Sequence, residues 1–305
     1  MLSEKRTLNK KVFVVIVTYN GAKWIDKNIT SLNQSYYPVS IIAIDNNSTD
    51  DSLTLLEKYP EVQLIKSPVN LGFGKANNIG MKMALEQSAD YVFLLNQDAW
   101  VFEDTISKLI DVMEIEDKRC GIASPAHYMA DGCTLDANFK TYLYRSLPNY
   151  MSKNIWFTKF VNAAAWMMSR GCIETVGYFE PLYGHYGEDR NYCDRVRYHK
   201  FSIVINTDSK IVHDRIITRN FKKDVIQSEY KVLSTLLDIN QNTLKSHLLA
   251  IKEVFGLTKY FSKYYSAGRC FSLFFKLSSF YLRRIINVGP IASARKIAKR
   301  NAGGY

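Results

Sequence analysis

Residues 91–100 read YVFLLNQDAW. Tyr91 to Leu95 is an unbroken apolar run of strand length, the pattern of a strand covered on both faces. It stops on Asn96, Gln97 and Asp98, where a simple loop would be served as well by Gly, Ser or Pro. Taken alone, this ending reads equally as a polar turn with Asp98 near the start of the next helix. The choice depends on how the other strands end.

Working outward, short β-rich runs alternate with longer helical patterns. VFVVIV (12–17) precedes a helical stretch around Trp24, Ile25, Ile29 and Leu32, and SIIAID (40–45) precedes DSLTLLEKY. VQLI (62–65) leads to a helix beginning near Gly74, and YVFLL to EDTISKLIDVME. A fifth run, CGIAS (120–124), ends at Pro125. Strands separated by helices of this length imply βαβ units and a largely parallel sheet. From 126 to about 160 the pattern weakens to loops and a hairpin. An apolar element (161–170), a loop into a helix (180–200) and a final strand (202–214) follow. Beyond residue 225 the reading is helical to about 288, with no internal repeat anywhere.

In open parallel sheets ligands bind beyond the carboxyl ends of the strands. Here those ends are TYNG (18–21), DNNSTDDS (45–52), SPVNLGFGKANN (67–78) and NQDAW. Each is explicable as a turn, but four polar endings on one edge make a binding site. Within DNNSTDDS, Ser48, Thr49 and Asp50 can cap the helix that begins near Asp51. Asp45 precedes that cap, where its oxygens can meet a base or ribose. Gly72 and Gly74 precede a helix but do not form GxGxxG, because Asn77 stands in the third position. The loop suits a backbone lying close to a phosphate.

Composition narrows the class. Of 305 residues, 47% are hydrophobic and 23% charged, as in a folded globular protein. The five cysteines are scattered, odd in number and without a CxxC pair, against a disulfide framework or a cysteine zinc site. That indicates a reducing compartment. The opening MLSEKRTLNKK is polar and basic with no apolar h-region, so no signal peptide is expected. The net charge of +11 is concentrated: residues 245–305 carry twelve of the 40 Lys and Arg but one of the 29 acids, Glu253. The first 244 residues are therefore neutral, and the two parts should have different partners.

The segments VVIVTYNG, AIDNNSTDDS, NLGFGKANNIG, FLLNQDAWV, GIASPAHYMADG and YGEDRNYCDRVR occur in this order. Together they resemble the inverting family 2 glycosyltransferases with the GT-A fold, and in particular the bacterial rhamnosyltransferase-like branch that builds surface polysaccharides. The resemblance covers roughly residues 11–215 and leaves the donor sugar unspecified. It implies an α/β GT-A domain with a mostly parallel central sheet over 1–224, followed by a basic, aromatic-rich helical tail over 225–305.

The resemblance also assigns chemistry. Asp98 would hold a divalent cation, Mn²⁺ or Mg²⁺, bridging the diphosphate of a dTDP- or UDP-sugar. The family often has two aspartates separated by one residue; Asn96 here removes one charge, and His213 matches a position that supplies a metal ligand in some relatives. Adjacent carboxylates repel and raise one pKa, which suits a general base. The family's Glu-Asp motif makes Asp189 the base and Glu188 an acceptor-binding group. Thr18, Tyr19, Asn20, Asp45, Asn47, Gly72, Asn77, Asn96 and Gln97 would surround the donor nucleotide. Trp166, in NAAAWMMS, would border the saccharide acceptor, which the branch implies is lipid-linked.

In the tail, Arg269, Lys276 and Arg283 recur every seven residues, while Phe271, Phe274, Phe275, Ser278 and Leu282 keep helical spacing. Charge interrupts the stretch too often to span a bilayer. It fits either an interfacial helix on an anionic membrane surface, at the inner face of the cell membrane, or a helical subdomain packed on the core. No nucleic-acid motif accompanies the charge, and no nucleic-acid partner is expected. Two other functions remain open: a sugar-nucleotidyltransferase, for which TYNGAKW is a poor phosphate loop, and a non-enzymatic membrane-binding module.

Overall fold

One mixed sheet of ten strands runs through the chain as far as His213 in the computed structural model, which describes residues 10–115, 119–149, 152–215 and 219–300. The N-terminal stretch read as lacking a signal peptide falls largely on residues 1–9, outside the described residues. The first elements are β1 (Val12–Thr18), α1 (Ala22–Asn33), β2 (Ser40–Asp45), α2 (Ser52–Leu56), β3 (Val62–Lys66), α3 (Phe73–Glu86) and β4 (Tyr91–Asn96). Next come β5 (Ala99–Val101), α4 (Thr105–Ile115), β6 (Cys120–Tyr128), α5 (Ala137–Tyr144), β7 (Leu147–Asn149) and β8 (Ser152–Phe157). The sheet closes with β9 (Ala165–Ser169), α6 (Arg170–Val176), α7 (Glu188–Tyr198) and β10 (Ser202–His213). Helices α8 (Phe221–Leu237), α9 (Thr243–Phe261), α10 (Ala267–Ile286) and α11 (Gly289–Lys299) form the C-terminal region.

The strand order is β3-β2-β1-β4-β9-β6-β10-β8-β7, with β5 also paired to β10. The first four strands are parallel, as the βαβ pattern requires. Beyond β4 the sheet is mixed: β9 runs antiparallel to both neighbours, and β6 and β10 are parallel. Because β2 lies on one side of β1 and β4 on the other, the chain reverses direction beside β1. That switch point opens a crevice at the strand ends. Register fixes what stands there: Thr18 is opposite Asp45, and Val17 is opposite Asn96.

The alternation within YVFLL explains its burial. Phe93 and Leu95 enter one core with Val14, Ile16, Ile29 and Leu109. Val92 and Leu94 enter the core of the other face with Val15, Ile44, Trp166 and Tyr192. Strand β6 continues past Pro125 to Tyr128, beyond the expected end. Proline is tolerated there because the β6–β10 register shifts just after its partner Asn206. The weakly patterned stretch holds the anticipated hairpin, β7–β8, and an unanticipated helix, α5, capped by Asp136 accepting from the Phe139 N–H.

The tail builds a third core, in which Val232 and Leu236 of α8 meet Ala250 and Val254 of α9 and Leu273 and Leu277 of α10. Helix begins at Phe221, where Asn220 accepts from the Lys222 and Lys223 N–H groups. It resumes beyond 288 as α11, started by Pro290 in its first turn. Helix α8 is tied to the catalytic side: the Tyr183 hydroxyl donates to Ser234 Oγ (3.0 Å), and the Gly184 N–H donates to the Tyr230 hydroxyl (2.9 Å).

Gly72 has φ +77°, and a Cβ there would lie 2.0 Å from the Gly184 carbonyl oxygen. Gly72→Ala should therefore cost about 2 kcal/mol or more in urea unfolding. Gly256→Ala, in α9 with no atom within 4 Å of the added carbon, should be neutral or stabilising by up to about 1 kcal/mol.

Candidate active site

Gln97 and Asp98 form the two-residue turn between β4 and β5. Short β5 pairs antiparallel with the end of β10, placing Ala99 opposite His213. The Asp214 N–H donates to the Asp98 carbonyl (2.8 Å), and His213 Nε2 comes within 3.2 Å of Asp98 Oδ1. Two residues 115 positions apart are thus joined by strand pairing. Behind them, buried Asn28 of α1 donates its amide to the carbonyls of Asn96 (3.0 Å) and Ala99 (2.6 Å). It braces both sides of the turn.

Asn96, Asp98 and His213 line a cleft of about 540 Å³ together with Glu188, Asp189 and Arg190. Glu188 opens α7 after Gly187, whose φ of +88° and tight packing against Tyr183 and Tyr230 leave little room for a side chain. Gly74 of α3 approaches the Glu188 side chain, where a Cβ would stand 3.6 Å from Glu188 Cγ. Glu188 is only 5% exposed, and its Oε2 has no partner among the described residues. Burial, reinforced by the charge of Asp189, pushes the Glu188 carboxyl up to about 8. Burial also raises Asp189, opposed by hydrogen bonds from the Arg190 and Ala163 backbone and by the Arg190 charge. Burial thus raises both carboxyls, Glu188 to about 8, and the pair as a unit retains a proton near neutral pH.

The other expected nucleotide residues form a second, adjoining patch. Asn20 Oδ1 accepts from the Thr49 N–H (2.8 Å), Ser48 Oγ accepts from the Asn20 N–H (3.0 Å), and Asp50 accepts from the Ala22 N–H (3.1 Å). Ser48, Thr49 and Asp50 therefore stitch the loop after β2 to the loop after β1. Asp51, the N-cap of α2, makes no side-chain capping bond. Asp45 is buried with Oδ2 accepting from the Ser48 N–H, while Oδ1 is without a partner among the described residues. Tyr19, Asn20 and Asn47 are exposed at this edge, the two asparagines at positive φ. Thr18 is buried and donates to Gln97 Oε1 (2.9 Å), which also accepts from the Tyr19 N–H (2.8 Å). Gln97 is spent in fastening the end of β1 to the turn.

Three expected residues reach neither the cleft nor the adjoining patch. Trp166 lies in β9 with no exposed surface, packed among Phe179 and Tyr192, so its ring cannot stack on a sugar. Asn77 is buried in α3 and donates to the Phe73 carbonyl of its own helix (2.9 Å). Gly72 is held against Gly184 rather than presented to a phosphate. Conversely, α8 supplies Lys223, Gln227 and Lys231, spaced four apart along one helix face, to the cleft wall. An adjoining hollow of about 840 Å³ shares Asp98 and Arg215 and adds Lys23, Trp24 and Arg219. The Trp24 indole donates to Asp214 (2.9 Å), and Arg215 holds the buried carboxylate of Asp136 with two hydrogen bonds.

A cation at this edge would find one carboxylate and one imidazole. Among the described residues no group of three or more His, Cys, Asp or Glu is arranged around a metal position. A two-ligand site of this kind fits a Mg²⁺ or Mn²⁺ whose remaining positions are taken by diphosphate and water. Imidazole shifts the preference toward Mn²⁺.

The family model for glycosyl transferase family 2 matches residues 13–177, more than half of the chain. The chain belongs to glycosyl transferase family 2. The transferase is 29% identical over 260 residues to the dTDP-rhamnosyl transferase RfbF of Shigella flexneri, covering 81% of this chain and 86% of that one. It is 23% identical to the N-acetylglucosaminyl-diphospho-decaprenol L-rhamnosyltransferase of Mycobacterium tuberculosis, covering 66% and 75%. An uncharacterized glycosyltransferase of Haemophilus influenzae is 32% identical over 33% of this chain and 42% of its own length. Among solved structures, residues 1–349 of Staphylococcus aureus TarS align with TM-score 0.62 at 14% identity, covering 95% of this chain and 90% of that one. The Pyrobaculum calidifontis mannosyltransferase in complex with GDP-Man and Mn²⁺ gives 0.59 at 16% identity, covering 95% and 88%. These likenesses show the GT-A fold.

Two outcomes test the geometry of this transferase. The proton held by Glu188 makes its stabilising contribution below pH 4.5, and that contribution is lost as pH rises through about 8. Wild-type unfolding free energy should therefore fall across this window relative to Glu188→Gln, measured by urea unfolding at each pH. Asn28→Ala strands two buried carbonyls and should cost about 1–3 kcal/mol in the same assay.

Proposed function

We propose that this glycosyltransferase moves a sugar from a nucleoside-diphosphate donor to a saccharide acceptor with inversion at the anomeric carbon. The observation that carries this reading is one cleft lined by the Asp98–His213 pair and the Glu188–Asp189 pair. Asp98 and His213 would hold the cation. When bound, it neutralises charge on the departing diphosphate. Arg215, Lys23 and Lys223 add positive charge beside Asp98 from the adjoining hollow.

Asp189 accepts the proton of the acceptor hydroxyl as that oxygen bonds to the anomeric carbon. The nucleoside diphosphate leaves from the opposite face, which inverts the centre. Protonated Glu188 donates a hydrogen bond to the acceptor and keeps a second negative charge out of the cleft. Thr18, Tyr19, Asn20, Asp45 and Asn47 lie at the end of the sheet where a base and ribose would sit, joined to the metal turn through Gln97.

L-Rhamnose from dTDP-rhamnose is the first donor to try, on the similarity to RfbF and to the mycobacterial enzyme. UDP-hexoses are the rivals. A lipid-linked acceptor is supported by the diphospho-decaprenol in the mycobacterial enzyme's name and by Lys223 and Lys231 along the cleft wall. With such an acceptor the enzyme would work peripherally on the cytoplasmic face of the cell membrane, in surface polysaccharide synthesis.

Asp189→Asn should keep donor affinity within about twofold while lowering transfer about 10²–10⁴-fold. Donor affinity is read by calorimetry and transfer by release of nucleoside diphosphate. Near-normal turnover would remove Asp189 as the base. NMR of the product should show an anomeric configuration opposite to the donor's, and retention would overturn the displacement.

A further inference from the structure

The C-terminal helices bury one face and leave another large apolar face open. On α9, Leu244, Leu248, Ile251 and Phe255 recur at spacings of four, three and four. On α10, Phe271, Phe275, Leu282 and Ile285 keep a matching rhythm. These eight side chains are from 40% to 72% exposed. Neither row is the packed one, which consists of Ala250 and Val254 on α9 and Leu273 and Leu277 on α10.

The two rows adjoin. The helices run antiparallel, with His247 against Tyr281 toward one end, Phe255 against Phe274 midway, and Phe261 stacked on Tyr265 at the connection. Phe274 bridges from Phe255 to Phe275, with ring centroids 5.3 and 5.7 Å apart. The two rows are thus joined through Phe274, and the other members follow Phe255 and Phe275 along the same helix faces. A monomeric soluble protein rarely leaves so many large apolar groups together in water.

The charge around this surface selects its occupant. Exposed Lys252 and Lys259 edge it on α9, and exposed Lys276 and Arg283 edge it on α10. From residue 245 to 300 the single acid is Glu253, already paired with Lys231 at 3.5 Å. A second copy of the chain would set these cations against their own kind. No helix among the described residues is long and apolar enough to cross a membrane. Lys276 and Arg283 also face Glu229 of α8, so cations remain in excess along the edge, most plainly at Lys252 and Lys259. Apolar groups flanked by such an excess suit the headgroup layer of an anionic bilayer, with lysines reaching outward along their stems.

We infer that the outer face of α9 and α10 is a docking surface for an anionic lipid bilayer. The inference rests on the membrane placement proposed above and gives it an address. Helix α8 has Lys223, Gln227 and Lys231 on the catalytic cleft and Val232 and Leu236 against α9 and α10. Docking through α9 and α10 therefore anchors the helix that forms one wall of the cleft, which would then open beside the lipid surface.

The test is co-sedimentation of the full chain with phosphatidylglycerol–phosphatidylcholine vesicles and with pure phosphatidylcholine vesicles, without donor or acceptor. The wild type should bind the anionic vesicles and lose binding in high salt. Leu248→Ser with Phe275→Ser changes two exposed residues; it should keep the thermal midpoint and lower partitioning at least about tenfold. Lys252→Gln with Lys259→Gln should lower it about 25-fold on anionic vesicles only. Binding that survives the Ser pair would overturn this face while leaving a peripheral enzyme. A wild type that ignores anionic vesicles, or buries the face in a concentration-dependent dimer, would overturn the inference. Donor binding is measured separately, so neither result is confused with failure of the catalytic reading.

Discussion

The antiparallel pairing of β5 with the end of β10 is the contact on which the site depends. Three residues of β5 suffice to bring Asp98 beside His213, and two amide hydrogen bonds from Asn28 keep the turn in place. A carboxylate in an ordinary exposed turn would swing through several rotamers. Here the backbone on both sides of Asp98 is tied to buried groups, so little ordering would remain for the binding of the proposed cation and diphosphate. Gln97 extends the same fastening to β1, and through it to the loops that end β1 and β2.

The second pair of carboxylates is governed by burial rather than by pairing. The left-handed turn at Tyr186 and Gly187, packed against Tyr183 and Tyr230, brings Glu188 beside Gly74. Phe179, clasped by the side-chain amide of Asn78, stacks against Trp166 and Tyr192 beneath that turn. Trp166 thus acts as packing against Phe179 and Tyr192 rather than as a contact surface. Both adjacent acids are raised by burial and titrate as a pair, the kind of environment that acid–base chemistry uses.

The strand-end pattern was legible because a buried strand has a simple signature and an abrupt polar end stands out against it. YVFLL followed by NQD is such a case, and so is SIIAI followed by DNNSTDD. What could not be read was tertiary. Asn28 looks like any polar residue of an amphipathic helix, and only the fold shows which carbonyls it meets. Gln97 and Asn77 belong to polar segments, yet their amides are consumed by backbone groups. Lys223 and Lys231 stand on either side of the expected domain boundary at 224, before the basic stretch 245–305, and α8, expected to belong mostly to the tail, lines the cleft. For α10, one face is packed in the third core, as the subdomain reading expected, and the other is open. Of the competing functions, a nucleotidyltransferase gains nothing, because the loop after β1 is occupied by bonds to Ser48, Thr49, Asp50 and Gln97. A purely membrane-binding module leaves the two carboxylate sites without a role.

The central claim is that Asp98 and His213 form a cation site completed by the diphosphate of a sugar nucleotide. Calorimetric titration of the purified protein with dTDP, UDP and GDP, each with and without Mn²⁺, tests it most directly. One nucleotide should bind much more tightly when Mn²⁺ is present, and Asp98→Ala should abolish the difference. Equal binding with and without the metal, or no binding of any of the three, would contradict it.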